Sequence, residues 1–191
     1  MKSKREKYIK PRMKVKKAVS FLKRNRMLDG VEGIFYTNPV LLASGGCGAC
    51  DNCFIEDSKV LVAEGHYKKI QEMKEGDSLI SFDTNKKNHI IQKVARLQSF
   101  IKESTAIIIL NDTLITTGNH RLWVNNTSWE RVDSLKINDF LLDVDGNKVI
   151  ITKMEKKEGS FNLYNLYIKG EGINEHLHNY FVENILVHEN N

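Results

Sequence analysis

Cys53 stands at a change of texture in this 191-residue chain: a peptide poor in core-forming side chains precedes it, and a series of β-branched runs follows. A cysteine so placed can attack the carbonyl just upstream, that of Asn52. Sulfur is nucleophilic enough to work from the small thiolate fraction present at neutral pH. The product is a thioester at Asn52 with the Cys53 amine as leaving group. That amine must be protonated as it departs, and an imidazole is the usual donor near neutrality. The chain offers a Thr-x-x-His, Thr117-Gly118-Asn119-His120, in mid-sequence and a His-rich stretch containing His178 and His188 near its end. A Thr-x-x-His by itself is common, and a lone Cys before a strand is more often a small buried hydrophobe.

The elements that would position these groups are short and β-branched. Lys59–Val62, Ser78–Phe82, Ile90–Val94, Ala106–Leu110, Leu114–Thr117, Arg121–Val124, Phe140–Leu142, Lys148–Ile151, Leu163–Tyr167, Tyr180–Val182 and Ile185–Val187 are each bounded by Gly, Asn, Asp or Lys turns. The pattern predicts an all-β domain. Gln71–Glu75 and Asp133–Lys136 read as single helical turns. A shift of 62 residues lays Val60, Val62, Tyr67, Ile70, Met73, Lys74, Asp77, Leu79, Asp83, Asn85 and Lys86 on Leu122, Val124, Trp129, Val132, Leu135, Lys136, Asp139, Leu141, Asp145, Asn147 and Lys148 without a gap. A unit of this length present twice predicts two related halves about a pseudo-two-fold axis.

Charge divides the chain unevenly. Met1 to Arg26 carries twelve Lys/Arg against one Glu, whereas the whole chain is only +5. A basic arm, with a helix expected over about Lys14–Arg26, therefore precedes a mildly acidic domain. Such arms are usually solvated, and nucleic acid is not an expected partner. No stretch has the roughly 18 apolar residues of a membrane span. All three cysteines, Cys47, Cys50 and Cys53, lie within seven residues, which excludes a disulfide framework and favours a reducing compartment, the cytoplasm. Their spacing lacks the fourth ligand of a cluster or zinc site, since position 57 is Asp57. No metal and no cofactor are expected. His66, His89 and His176 belong to no motif and are expected at the surface.

Cys53-Phe54-Ile55-Glu56-Asp57-Ser58-Lys59-Val60, with Met73-Lys74-Glu75-Gly76-Asp77-Ser78-Leu79-Ile80, resembles the opening of a Hint domain. This is the self-processing fold shared by inteins, Hedgehog autoprocessing domains and bacterial intein-like domains. Thr116-Thr117-Gly118-Asn119-His120 resembles its Thr-x-x-His block. Leu163-Tyr164-Asn165-Leu166 and His178-Asn179-Tyr180-Phe181-Val182 through His188 resemble its C-terminal blocks. The resemblance runs in order from residue 53 to about 190, in the mini form without an endonuclease. It implies an all-β horseshoe over 53–191, with 1–52 as the N-terminal flanking segment and the substrate. It also implies that Cys53 is the nucleophile, that His120 protonates the leaving amine, and that Thr117 holds the scissile peptide or its oxyanion. His178, His188 and Asn190 would belong to the second step.

The end departs from the family pattern. Splicing inteins finish in His-Asn followed by Cys, Ser or Thr, whereas here the order is His188-Glu189-Asn190-Asn191, and Asn165 stands where the family often carries Asp. Full splicing is therefore not expected. The expectation is single-turnover N-terminal processing, with the thioester at Asn52 resolved by water, a small thiol or an amine. Cys47 and Cys50 are candidate acceptor thiols, and attack by Cys47 would close a six-residue thiolactone, with Gly48 easing the turn. Residues 1–52 would then be a peptide precursor, and the released peptide could be secreted. The competing readings are a catalytically dead binding module with a basic arm, and a metal-binding regulator using the three cysteines.

Overall fold

The computed structural model describes residues 52–169 and 176–189. The basic arm, its expected helix, Cys47, Cys50 and Asn190 lie outside the described residues. Among the described residues thirteen strands follow one another: β1 (Phe54–Ile55), β2 (Lys59–Leu61), β3 (Tyr67–Lys69), β4 (Ser78–Asp83), β5 (Asn88–Leu110), β6 (Leu114–Thr117), β7 (Arg121–Val124), β8 (Ser128–Arg131), β9 (Phe140–Leu142), β10 (Lys148–Ile150), β11 (Met154–Lys169), β12 (Asn179–Val182) and β13 (Ile185–His188). One sheet has the order β11-β1-β6-β5-β4; the other has β10-β9-β7-β13-β12-β2-β3, with β8 on β7. The all-β expectation holds.

The 62-residue repeat is a repeat of local structure. Single 3₁₀ turns occupy Ile70–Glu72 and Val132–Ser134, slightly N-terminal to the expected helical turns. In the first copy Lys74 N donates to Asp77 Oδ2 at 2.8 Å, and in the second Lys136 N donates to Asp139 Oδ2 at 2.9 Å. Gly76 and Asn138, equivalent in the repeat, have φ of 89° and 78°. That left-handed conformation suits only Gly and, at small cost, Asn. The repeated apolar positions Ile70, Met73, Leu79, Val132, Leu135 and Leu141 enter one buried cluster with Phe54, Leu166 and Tyr180.

Two expectations are corrected. The Ile90–Val94 and Ala106–Leu110 runs are ends of one 23-residue strand, β5, continuous through Arg96–Thr105 because β11 pairs with it from Leu110 to Lys93. His89 is not a surface residue. It is 6 % exposed, its Nε2 lies 2.8 Å from the Val144 carbonyl, and burial holds its pKa below the usual value. His66 and His176 are exposed.

β1 decides where the chemistry sits. It pairs with β11 on one edge (Phe54↔Tyr164, Ile55↔Leu163) and with β6 on the other (Phe54↔Thr116), while β5 pairs with both β6 and β11. Four strands thus close a ring. Two residues make few ladder bonds, so side-chain burial must hold β1 in place. Phe54 is fully buried, worth roughly 1.5–3 kcal/mol. Cys53 and Ile55 fall on the other face, where Cys53 packs with Ile107 and Leu163.

Candidate active site

Cys53 is 1 % exposed and is gripped through its backbone. Its N–H donates to Thr117 Oγ1 at 2.9 Å. Its carbonyl accepts from Thr117 N at 2.9 Å and from Thr116 Oγ1 at 2.8 Å. Thr117 Oγ1 also lies 3.4 Å from that carbonyl, so one hydroxyl accepts and donates across the same residue. The nitrogen held by Thr117 belongs to the Asn52–Cys53 peptide.

The loop from Thr117 to His120 owes its shape to the second 3₁₀ turn. His120 N bonds to Thr117 O at 3.2 Å, Val132 N to His120 O at 2.8 Å and Asp133 N to Gly118 O at 2.9 Å. Gly118 is needed for close approach, since a Cβ there would lie 3.1 Å from Asp133 Cβ. Arg131 ties the outside together, donating through Nε to Asp133 Oδ1 at 2.9 Å and through Nη2 to Asn119 Oδ1.

His120 is fully buried, with its ring 4.2 Å from that of Phe54. Burial pushes its pKa down to about 3, and neighbouring His188 adds to the effect. The backbone of Asn52 and of His188 faces the ring and pulls the other way, without aligning into a full hydrogen bond at either nitrogen. His120 is therefore neutral at pH 7 and lies against the peptide whose nitrogen Thr117 holds.

His188 ends β13, opposite Asn179, with its ring edge-on to Trp129 at 4.7 Å. His178 is brought in through a residue that sequence reasoning treated as an insertion. Glu189 is 2 % exposed; its Oε2 lies 3.1 Å from His178 Nδ1, and its Oε1 accepts from Ile168 N at 3.0 Å. Its backbone N–H donates to His178 O at 2.8 Å. Burial holds the carboxyl above the usual range, while the Ile168 N–H and His178 oppose that shift. Glu189 thus fastens the end of β13 to β11.

The structure brings Cys53, Thr117, His120 and His188 into one buried neighbourhood beside Asn52, with His178 joined through Glu189. Sequence reasoning missed Thr116, Glu189 and Asn179. The Asn179 amide accepts from Phe82 N (2.9 Å) and Ser81 Oγ (2.9 Å) and donates to Phe82 O (2.8 Å), standing in for a strand neighbour of β4. Thr116 was readable as the second hydroxyl of a Thr-Thr pair. Glu189 gave no signal, because its partners lie 11 and 21 residues away.

A two-sheet, internally duplicated β fold with a Cys at its first strand, facing a Thr-x-x-His loop, defines the Hint class. The similarity extends to solved structures. A bacterial intein-like domain from Clostridium thermocellum superposes with a TM-score of 0.63 at 20 % identity, covering 72 % of this chain and 98 % of that one. A DnaB intein from Synechocystis sp. PCC 6803 gives 0.58 at 19 % identity, with 72 % and 98 % covered. The gp41-1 intein gives 0.54 at 21 %, with 71 % and 97 % covered. The sequence matches the Pretoxin HINT domain over residues 59–190, and the chain belongs to that family. No curated protein matches it. Among the described residues no helix is long and apolar enough to cross a membrane.

Proposed function

We propose that the domain processes its own N-terminal flank at the Asn52–Cys53 bond. Cys53 Sγ attacks the Asn52 carbonyl, and the C–N bond breaks to give a thioester and a free Cys53 amine. His120, neutral beforehand, takes up the thiol proton and delivers it to the departing nitrogen. Thr117 orients that nitrogen. The observation that carries this reading is the two-sided hold on one peptide: Thr117 Oγ1 at 2.9 Å from Cys53 N, with the buried His120 ring against Asn52. A neutral imidazole suits the first transfer better than an imidazolium, which has no free lone pair to accept a proton.

The thioester is then resolved by water, a small thiol or amine, or Cys47 or Cys50, freeing residues 1–52. The family's description as a pretoxin domain accords with processing of a precursor. The test is intact mass of the full chain beside Cys53→Ala, with and without added thiol at neutral pH. Loss of the first 52 residues in wild type alone is the expected result. The mass of the released piece separates hydrolysis, thiol capture and a ring lighter by one water. A folded wild-type chain that stays whole under every condition overturns the proposal and leaves the fold as a binding module.

A further inference from the structure

We propose that Tyr180 is a further catalytic residue of the acyl shift, its hydroxyl donating to the oxyanion that forms on the Asn52 carbonyl as Cys53 attacks. The inference rests on the function proposed above. Tyr180 is fully buried, and its hydroxyl proton has no acceptor: the oxygen meets the Leu166 N–H, itself a donor, without aligning into a full hydrogen bond. Buried polar groups are nearly always paired, and an exception calls for a reason.

The pairing register supplies one. β1 and β11 run antiparallel with Phe54 opposite Tyr164, and Glu56 N donates to Asn162 O at 3.2 Å. That bond fixes which β11 residues turn their N–H toward β1: 162, 164 and, two further on, 166. Continuing the register sets Asn52 opposite Leu166, so the ladder partner of the Asn52 carbonyl would be the Leu166 N–H. The Tyr180 hydroxyl lies at that N–H instead. One register step on, the corresponding donor, Ile168 N, is taken by Glu189. The edge of β11 beyond β1 is thus occupied by side chains, and a phenol stands where the scissile carbonyl would have paired.

Orientation agrees. The Cys53 N–H points to Thr117, so in a trans peptide the Asn52 carbonyl points away from Thr117, to the side on which β11 lies and on which the His120 ring also faces it. The Tyr180 ring meets Phe54 edge-on at 6.5 Å, and Phe54 in turn lies tilted against His120. Burial and the nearby Glu189 carboxyl keep the phenol protonated, hence a donor. In the step itself the Sγ–C bond forms while the carbonyl π pair moves onto oxygen, and Tyr180 donates a hydrogen bond without losing its proton. As the carbonyl re-forms, the C–N bond breaks and His120 returns the thiol proton to nitrogen. A preorganised donor aimed at the oxyanion, its proton without an acceptor in the ground state, acts selectively on the transition state.

The test follows release of residues 1–52 by intact mass in excess hydroxylamine, for wild type, Cys53→Ala, Tyr180→Phe and Tyr180→4-aminophenylalanine. Tyr180→Phe is expected to slow release about 10²-fold while melting close to the wild-type temperature, because the hydroxyl it removes meets the Leu166 N–H without a full hydrogen bond. The 4-amino variant restores a donor and recovers part of the rate. Equal rates for wild type and Tyr180→Phe overturn the inference and leave the function standing. So does a 4-amino variant as slow as Tyr180→Phe. A folded wild type that hydroxylamine leaves uncut overturns both.

Discussion

His120 is a histidine kept uncharged by its surroundings, and that has a thermodynamic consequence. Its folded pKa of about 3 lies below the unfolded value of 6.5. Between those values the unfolded chain binds the extra proton, so stability falls as pH drops from 6.5 toward 3 and is fully present above 6.5. The gap corresponds to something on the order of 5 kcal/mol. Thermal melts of the uncleavable Cys53→Ala chain should lose temperature steeply below pH 6, and adding His120→Gln should flatten that slope. Glu189 gives a second prediction at this scale. Glu189→Ala strands the Ile168 N–H and His178 and should cost about 2–3 kcal/mol in urea unfolding, whereas Glu189→Gln keeps an acceptor for Ile168 and should cost less.

At the scale of elements, the site is made by a loop fitted to a 3₁₀ turn and a two-residue strand held between two longer ones. Gly118→Ala would force a 3.1 Å contact with the Asp133 side chain, moving the Thr117–His120 loop by a few tenths of an ångström. Misplacement on this scale is expected to slow cleavage at least tenfold while shifting the melting temperature only slightly, which rate and melt measured on one preparation would show. What could be read in advance divides along the same line. The paired turns at Asp77 and Asp139 were legible because each is encoded within four residues. The central span of β5, Arg96 to Thr105, was not, because polar residues such as Gln98 and Lys102 are in strand conformation through their pairing with β11. His89 and Glu189 were misjudged for the same reason, since their partners lie far away in sequence. The Cys53–Thr117–His120 group was legible as a set of residue types, but the hold of Thr116 and Thr117 on both sides of Cys53 depended on β1 lying against β6.

At the scale of the whole molecule, the two halves are not separable folding units. β1 of the first half lies between β6 and β11, and β7 of the second pairs with β13, which is joined through β12 to β2. Both tryptophans, Trp123 and Trp129, lie in the second copy of the repeat. Their fluorescence should nonetheless follow the same urea transition as far-UV circular dichroism of the whole domain. Two resolved transitions would show that the halves unfold independently.

The ring that closes around Cys53 also sets an order of events during synthesis. Cys53 and Thr117 emerge early, but the strand that completes the cradle, β11, emerges about a hundred residues after the nucleophile, and His188 and Glu189 later still. A ribosome-bound fragment would hold the proposed nucleophile and the proposed scissile bond without the means to join them. On the function proposed above, the fold would serve as a check on completeness, with the bond before Cys53 open to attack only in a polypeptide translated nearly to the end of the domain.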